Sequence, residues 1–306
     1  MTTLVFGHKS PDTDSTGSPI VWAWYLNNIM GVEAKPVLLG EPNTEALFML
    51  DHWNLDKPEI ITGLGAGQDV VIVDTNNPAE LPDTINDANI TAIIDHHRLV
   101  GGLNTVGPIP IRIEPLACTA TIMWKMIGKD IAQMPSEVKG AMLTCILSDT
   151  LEFRSPTTTQ EDKAIAWSLA EDLGVDMPSY AAQMFAAKSD VSSFSEAELL
   201  RMDSKEYELD GKQLRVSVLE TTSPAAVLDR KDALMAAMPG VAEKDGADQV
   251  LLFVVDILNE EATMLIPNAL SKTIAEKSFD VDVSGDTVVL PGVMSRKKQI
   301  IPRLKI

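Results

Sequence analysis

An α/β architecture is predicted by three features of the chain. Short Val/Ile/Leu-rich runs alternate with helix-like segments over roughly the first 115 residues, as in a parallel sheet covered on both faces. A helical stretch follows from Ala117 to about Lys188, and a second α/β alternation begins after a small, polar segment. The expectation is an N-terminal parallel-sheet domain flanked by helices, joined by a flexible linker to a smaller C-terminal α/β domain. The boundaries fall at residues 1–188, 189–195 (SDVSSFS) and 196–306.

The strands of the first domain are read at Thr3–Phe6, Pro36–Leu39, Glu59–Ile61, Val70–Val73, Ile90–Ile94 and Ile109–Ile113, each a β-branched run between turn residues. Apolar residues at three- and four-residue spacing mark four helices, in TATIMWKMI, KGAMLTCIL, AIAWSLAEDL and YAAQMFAA. Thr158 followed by Glu161 has the spacing of a capping box before the third of these. Met and Trp at helical spacing read as core filling. Beyond the linker the pattern gives a helix at Glu196–Met202, a strand at Gln213–Leu219, a helix at Pro224–Met238 and strands at Gln249–Leu258 and Thr263–Ile266. A helix at Asn268–Lys277 and a strand at Thr287–Leu290 complete it, ahead of the basic run SRKKQ (295–299).

With 306 residues, 45% of them hydrophobic and 23% charged, the chain has the make-up of a soluble globular protein with two cores. Its apolar N-terminal stretch is too short for a signal peptide or membrane span, so a cytoplasmic protein without a membrane partner is expected. Cys118 and Cys145 lie in apolar helix-like contexts without C-x-x-C spacing and read as buried free thiols. A formal net charge of −19 argues against nucleic acid, which is bound through clustered Lys and Arg. An anionic substrate stays open if SRKKQ and bound cations reverse the field locally.

Three of the four histidines sit in acidic motifs at strand ends: His8 in GHKSPDTDS, and His96 and His97 in IIDHH. Asp74 closes VVIVD and Asp149 closes AMLTCILSD, while Asp12 and Asp14 share the first loop with His8. His52, without such company, reads as a surface or helix-end residue. Ligands in α/β sheets bind outside the carboxyl ends of strands, where His8, Asp74 and Asp95-His96-His97 fall. If His8, Asp12, Asp14, Asp74, His96 and Asp149 converge, two imidazoles and four carboxylates exceed one tetrahedral zinc site and suit two octahedral ions sharing a carboxylate, Asp74. Ligation by N and O without thiolate favours manganese, cobalt or magnesium. Two ions about 3.5–4 Å apart can hold a hydroxide for in-line attack on phosphorus, with Arg296, Lys297 and Lys298 neutralising the transferring group. There is no nucleotide-binding glycine loop and no G-x-S-x-G elbow.

The motifs GHKSPDTDS, VIVD with Asn76, IIDHHR, EP-x-x-CTAT (114–121), SDTLEFRSPT (148–157), MDSKEY (202–207) and GVMSRKKQ (292–299) resemble, in order and across the whole chain, the family II manganese-dependent inorganic pyrophosphatases of the DHH phosphoesterase superfamily. The resemblance implies hydrolysis of pyrophosphate to two phosphates by attack of a metal-bridging hydroxide. His8 and Asp12 match the ligands of one Mn2+, Asp14, His96 and Asp149 those of the other, and Asp74 the bridge. Co2+ or Mg2+ are the implied substitutes, and a further Mg2+ or Mn2+ accompanies the substrate. His97 matches a substrate contact, Asp95 a group orienting the histidine pair, Lys205, Arg296 and Lys297 the substrate clamp, and Gln299 a weaker clamp candidate. A homodimer is implied; separately, the layout, with candidate ligands before residue 150 and the basic cluster after the SDVSSFS linker, predicts closure of the second domain on bound substrate. Thr75-Asn76-Asn77 departs from the His-Asn-Glu that often follows the bridging aspartate. Two rivals share parts of the pattern: another DHH-type hydrolase acting on polyphosphate or short oligonucleotides, and a non-catalytic metal- or phosphate-binding protein.

Overall fold

In the computed structural model, which describes residues 2–192 and 194–306, the apolar runs of the first unit pair as one parallel sheet. Its strands are β1 (Thr3–Phe6), β2 (Ala34–Leu38), β3 (Glu59–Ile60), β4 (Asp69–Val73), β5 (Asn89–Asp95) and β6 (Ile111–Ile113). Helices α1 (Thr13–Asn28), α2 (Thr44–His52), α3 (Thr119–Ile127), α4 (Ser136–Asp149), α5 (Gln160–Leu173) and α6 (Met177–Lys188) complete the unit. The sheet order is β3-β2-β1-β4-β5-β6 and every neighbouring pair is parallel. Successive strands run outward one way from β1 to β3 and the other way from β4 to β6. The carboxyl ends of β1 and β4 therefore flank the point where the winding reverses, the place where such sheets leave a crevice. Phe6, Val37, Val70, Ile72, Ile90 and Ile93 form a core cluster on this sheet. Burying each side chain of this kind contributes about 1.5–3 kcal/mol.

Two glycines allow the close approaches that build the crevice. A Cβ on Gly7 would lie 1.9 Å from Ser15 Oγ, so the β1–α1 loop can fold back on the first turn of α1 only without one. A Cβ on Gly17 would lie 2.4 Å from Cys145 Sγ, so α1 and α4 pack nearly backbone to side chain there. That packing brings the start of α1, with Asp14, beside the end of α4, with Asp149.

The chain divides into two compact units, Met1–Ala187 and Lys188–Ile306. Within the expected linker, Val191 is buried and Ser189 pairs with the Thr222 hydroxyl at 2.9 Å, while Ser193 lies outside the described residues. The second unit contains α7 (Glu196–Met202), β7 (Ser204–Leu209), β8 (Lys212–Thr221), α8 (Pro224–Leu228) and α9 (Lys231–Asp245). It continues through β9 (Gln249–Asp256), β10 (Glu261–Leu265), α10 (Ala269–Phe279) and β11 (Thr287–Pro291). Its sheet runs β11-β10-β9-β8-β7, with β8 and β9 parallel and the other pairs antiparallel. All eight residues of β9 are buried: Leu251, Phe253 and Val255 pack with Ile274 on one side, Val250, Leu252 and Val254 with Leu234 and Met238 on the other.

Three local expectations are corrected. The helix read over 224–238 is two helices, α8 and α9, because the chain turns at Asp229–Arg230 and the Arg230 guanidinium leaves to bond the carbonyls of Val191 and Phe194 and the Glu196 carboxylate. The capping box before α5 is Thr159 with Asp162, one residue later than Thr158 with Glu161. An additional strand, β7, pairs with β8 through a turn at Asp210-Gly211, both with positive φ, which is hairpin chemistry.

Candidate metal centre

Three loops at the carboxyl edge of the first sheet and two helix ends deliver the six expected ligands to one place. His8 follows β1, Asp12 caps α1 and Asp14 opens it, Asp74 follows β4, His96 follows β5, and Asp149 ends α4. Three sets of ligand atoms lie within 4.8 Å of one another: His8, Asp12 and Asp74; Asp14, His96 and Asp149; and Asp74, His96 and His97. Asp74 joins the groups. Its Oδ2 is 3.6 Å from His8 Nε2 and its Oδ1 is 3.3 Å from His96 Nε2, so its two oxygens face two different imidazoles.

Backbone and neighbouring hydroxyls hold these groups. Asp74 has φ +57°, a left-handed turn that an aspartate tolerates and a β-branched residue would not, and it swings the carboxylate out of the strand line. Asp12 Oδ1 accepts from Ser15 N as the α1 cap, which leaves Oδ2 directed at His8, 3.7 Å away. Asp14 Oδ1 accepts from Ser18 Oγ at 2.5 Å and its Oδ2 from Thr119 N at 2.7 Å, so the start of α3 feeds an N–H into the centre. Thr119 Oγ1 reaches Asp74 Oδ1 at 3.3 Å. Thr119 is a site residue that the ligand pattern missed, although the CTAT motif carried it. Asp162, fully buried, secures this segment by accepting from Ala117 N and Thr121 Oγ1.

His97 is half-exposed and belongs to a separate chain of contacts. Asp95 Oδ1 accepts from both His97 N and Nδ1, at 3.0 and 2.9 Å, and Asp95 Oδ2 accepts from Asn76 Nδ2. Asn76 also bonds the carbonyl of Arg98 and the N–H of Val100, fixing the loop after the histidines. Thr75 gives its hydroxyl to Glu80 at 2.6 Å, and Asn77 caps the turn that follows. With its ring held by Asp95, His97 turns toward a cleft of about 460 Å³ lined also by His8, Lys9, Ser10 and Glu80. The Asp95 hydrogen bond, outweighing burial, raises the His97 pKa above its ordinary value.

The residues fit divalent cations on electrostatic grounds. His96 Nδ1 faces the carbonyl of Leu116 at 3.2 Å, which an imidazole can satisfy only by donating, so Nε2 is the ring nitrogen turned toward the Asp74 carboxyl, 3.3 Å away, where a divalent cation can be shared between them. Asp149 Oδ2 is buried with no hydrogen-bond partner among the described residues, and it stands at a helix C-terminus, where the dipole disfavours an anion. Burial, then the charges of Asp14 and Asp12, push the Asp149 carboxyl well above the usual range; burial, then Asp14, Asp12 and Asp149, do the same to Asp74. At His8, burial is outweighed by the Asp12 hydrogen bond and charge, and the pKa rises.

These shifts share one sign. Asp74 and Asp149 with raised pKa values bind protons more tightly folded than unfolded, so metal-free stability falls as pH rises from about 4 through the folded values. His8 and His97 add stability that is present below about pH 6.5 and lost above their raised values. The chelated protein should therefore lose melting temperature steadily between about pH 4.5 and 8. Added manganese should remove that loss through linkage, by about 2.7 kcal/mol at a hundredfold excess over the dissociation constant. Calorimetry across pH with and without chelator checks both; a metal-free melting temperature that rises over this range contradicts the repulsion.

In the second unit, Lys205, Arg296 and Lys297 line a cleft of about 630 Å³ with Asp203 and Ser295. Residues 296–300 form one π-type turn after Ser295, which caps it. Arg296 gives Nη1 to the carbonyl of Asp203 at 2.6 Å and Nη2 to its carboxylate at 2.8 Å, so MDSKEY and SRKKQ, distant in sequence, form one patch. Gln299 does not point its amide at the cleft: it accepts from Met294 N and Ser295 N and donates to the carbonyl of Gly292, bracing the turn. His52 is exposed at the end of α2, and Cys118 and Cys145 are buried and free.

Comparison with known proteins accounts for both units. The DHH family N-terminal domain matches residues 2–148 and the DHHA2 domain residues 182–305. A "Probable manganese-dependent inorganic pyrophosphatase" of Deinococcus radiodurans is 40% identical over 307 residues, covering 98% of this chain and 97% of the relative. One of Lactobacillus johnsonii, with the same description, is 37% identical over 303 residues at the same coverage. The crystal structure of the "Methanococcus jannaschii putative family II inorganic pyrophosphatase" superposes with a TM-score of 0.62 at 33% identity, covering 99% of this chain and 98% of that one. An exopolyphosphatase-related protein of Bacteroides fragilis shares the fold alone, at 13% identity and a TM-score of 0.51. By full-length identity, and by a fold that sets its acidic cluster at the sheet's switch point, the chain belongs to the family II inorganic pyrophosphatases.

Proposed function

We propose that the chain hydrolyses inorganic pyrophosphate to two phosphates in a manganese-dependent reaction at the cluster around Asp74. The observation that carries this reading is that four carboxylates and two imidazoles, with Asp74 common to both sides, meet without a cationic side chain among them. His8, Asp12 and Asp74 would hold one ion, and Asp14, His96, Asp149 and Asp74 a second; Co2+ or Mg2+ would substitute, and a further Mg2+ or Mn2+ would arrive with the substrate. Divalent ions held there supply Lewis-acid charge and acidify water.

The protein's own groups do the rest. Asp95 accepts a hydrogen bond from His97 Nδ1–H and favours the imidazolium, whose Nε2–H can then be offered to an oxygen of the substrate and given to the departing phosphate, leaving the neutral ring. Lys205, Arg296 and Lys297 neutralise phosphoryl oxygens that face away from the carboxylate cluster. Residues 1–188 serve as the metal-binding part and 196–306 as the clamping part, with 189–195 as the connection between them. In this reading the protein acts in the cytoplasm as a homodimer, with β6, the last strand in the order of the first sheet, as the candidate edge for a second copy.

Phosphate release from pyrophosphate, tripolyphosphate and a dinucleotide, each with Mn2+, tests the substrate class. Turnover confined to pyrophosphate is expected, since the cationic cleft offers no aromatic platform for a base beyond Tyr207. Strong hydrolysis of the dinucleotide without pyrophosphate turnover contradicts it.

A further inference from the structure

Glu45 is a wholly buried carboxylate in the first turn of α2, outside every ligand motif. Its Oε1 accepts two hydrogen bonds, from Thr13 Oγ1 at 2.6 Å and, in a very short contact, from Ser148 Oγ. Both donors are buried and both are chain neighbours of ligands: Thr13 stands between Asp12 and Asp14, and Ser148 precedes Asp149. Thr13 is gripped a second time at its carbonyl, which accepts the Cys145 thiol at 3.3 Å.

We infer that Glu45 is a positioning residue that locks the start of α1 and the end of α4 so that Asp12, Asp14 and Asp149 present their oxygens at a fixed separation. The inference rests on the two-metal reading above. A carboxylate is acceptor-only, so both hydroxyls must donate to it and neither can rotate away. Burying a carboxyl group costs free energy unless it is hydrogen-bonded, a cost an apolar residue packing α2 against α1 and α4 would not carry. What Oε1 adds is a single point to which two ligand-bearing backbones are tied. Ligand centres need their donors placed within about 0.5 Å, and losing such an outer contact typically costs 10–100-fold in metal affinity.

The test is Mn2+ titration of the chelated, folded chain, with free Mn2+ followed by electron paramagnetic resonance and folding by circular dichroism. Glu45→Gln keeps an amide oxygen able to accept both hydroxyls and should bind manganese within a few-fold of the parent. Glu45→Ala should bind about 10–100-fold more weakly and, at saturating manganese, lose kcat with little change in KM for pyrophosphate. Ser148→Ala, which leaves Glu45 in place, should show part of that loss, and combining it with Glu45→Ala should cost less than the sum of the two. Parental manganese affinity in a less stable Glu45→Ala chain overturns the inference, making Glu45 a stability contact only. So does Glu45→Gln failing as badly as Glu45→Ala, which would make charge and not position the cause. A parent chain that binds no manganese would instead overturn the two-metal reading and the inference with it.

Discussion

Replacing Asp74 with asparagine should remove pyrophosphate hydrolysis almost completely while making the metal-free protein more stable. Asp74 alone faces His8 with one oxygen and His96 with the other, so its loss affects both halves of the cluster, whereas Asp12 or Asp149 affects one. Outer contacts of metal ligands cost 10–100-fold when removed; a shared ligand should cost more than about 100-fold in activity. The opposite effect on stability follows from its surroundings. Burial, then repulsion from Asp14, Asp12, Asp149 and Asp95, holds its carboxyl well above the usual range, and a neutral amide of the same shape relieves that repulsion. The melting temperature of the chelated variant should rise at neutral pH by about 2–4 °C for each kcal/mol relieved. Manganese should then add far less stabilisation than it does to the parent. A variant that binds two ions as tightly as the parent would show that Asp74 is not shared.

The second large effect is expected at Arg296. Two of its N–H groups are given to Asp203, which fixes the plane of the guanidinium and leaves further donors toward the cleft shared with Lys205 and Lys297. A planar fork of this kind matches a phosphoryl edge in a way a lysine ammonium does not. Arg296→Ala should therefore bind manganese normally and fold normally, and lose about 10²–10³-fold in kcat/KM for pyrophosphate. Arg296→Lys should recover only a small part of that loss. Steady-state kinetics alongside manganese titration separates this from a metal defect, and unchanged kinetics in Arg296→Ala would return the basic run to a solvated surface.

Much of the candidate site was legible in the sequence because its candidate ligands sit where strand periodicity ends. The runs closing on Asp74 and Asp95 are almost wholly apolar, so their polar successors stand out, and the observed strands begin and end within about two residues of the reading. The geometry explains why other residues were not legible. Glu45 looks like any acid in a helix first turn, and only the packing of α2 on α1 and α4 turns it inward to Thr13 and Ser148. Gln299 sits beside the cations in sequence, yet its amide is consumed by the turn it stabilises. Strand β7, SKEYEL, is a polar edge strand without an apolar run; the Asp-Gly turn after it was its clearest signal. The Thr75 hydroxyl pairs with Glu80, five residues on, a contact no local spacing rule predicts.

The central claim is that the six side chains around Asp74 form a centre for two divalent ions on which pyrophosphate hydrolysis depends. The most direct measurement is titration of manganese into the chelated chain, with ions bound per chain and phosphate released from pyrophosphate followed in the same samples. Activity should be absent without metal, rise with occupancy and reach its plateau at two ions per chain. A plateau at one ion, or phosphate release that persists under chelation, would contradict it.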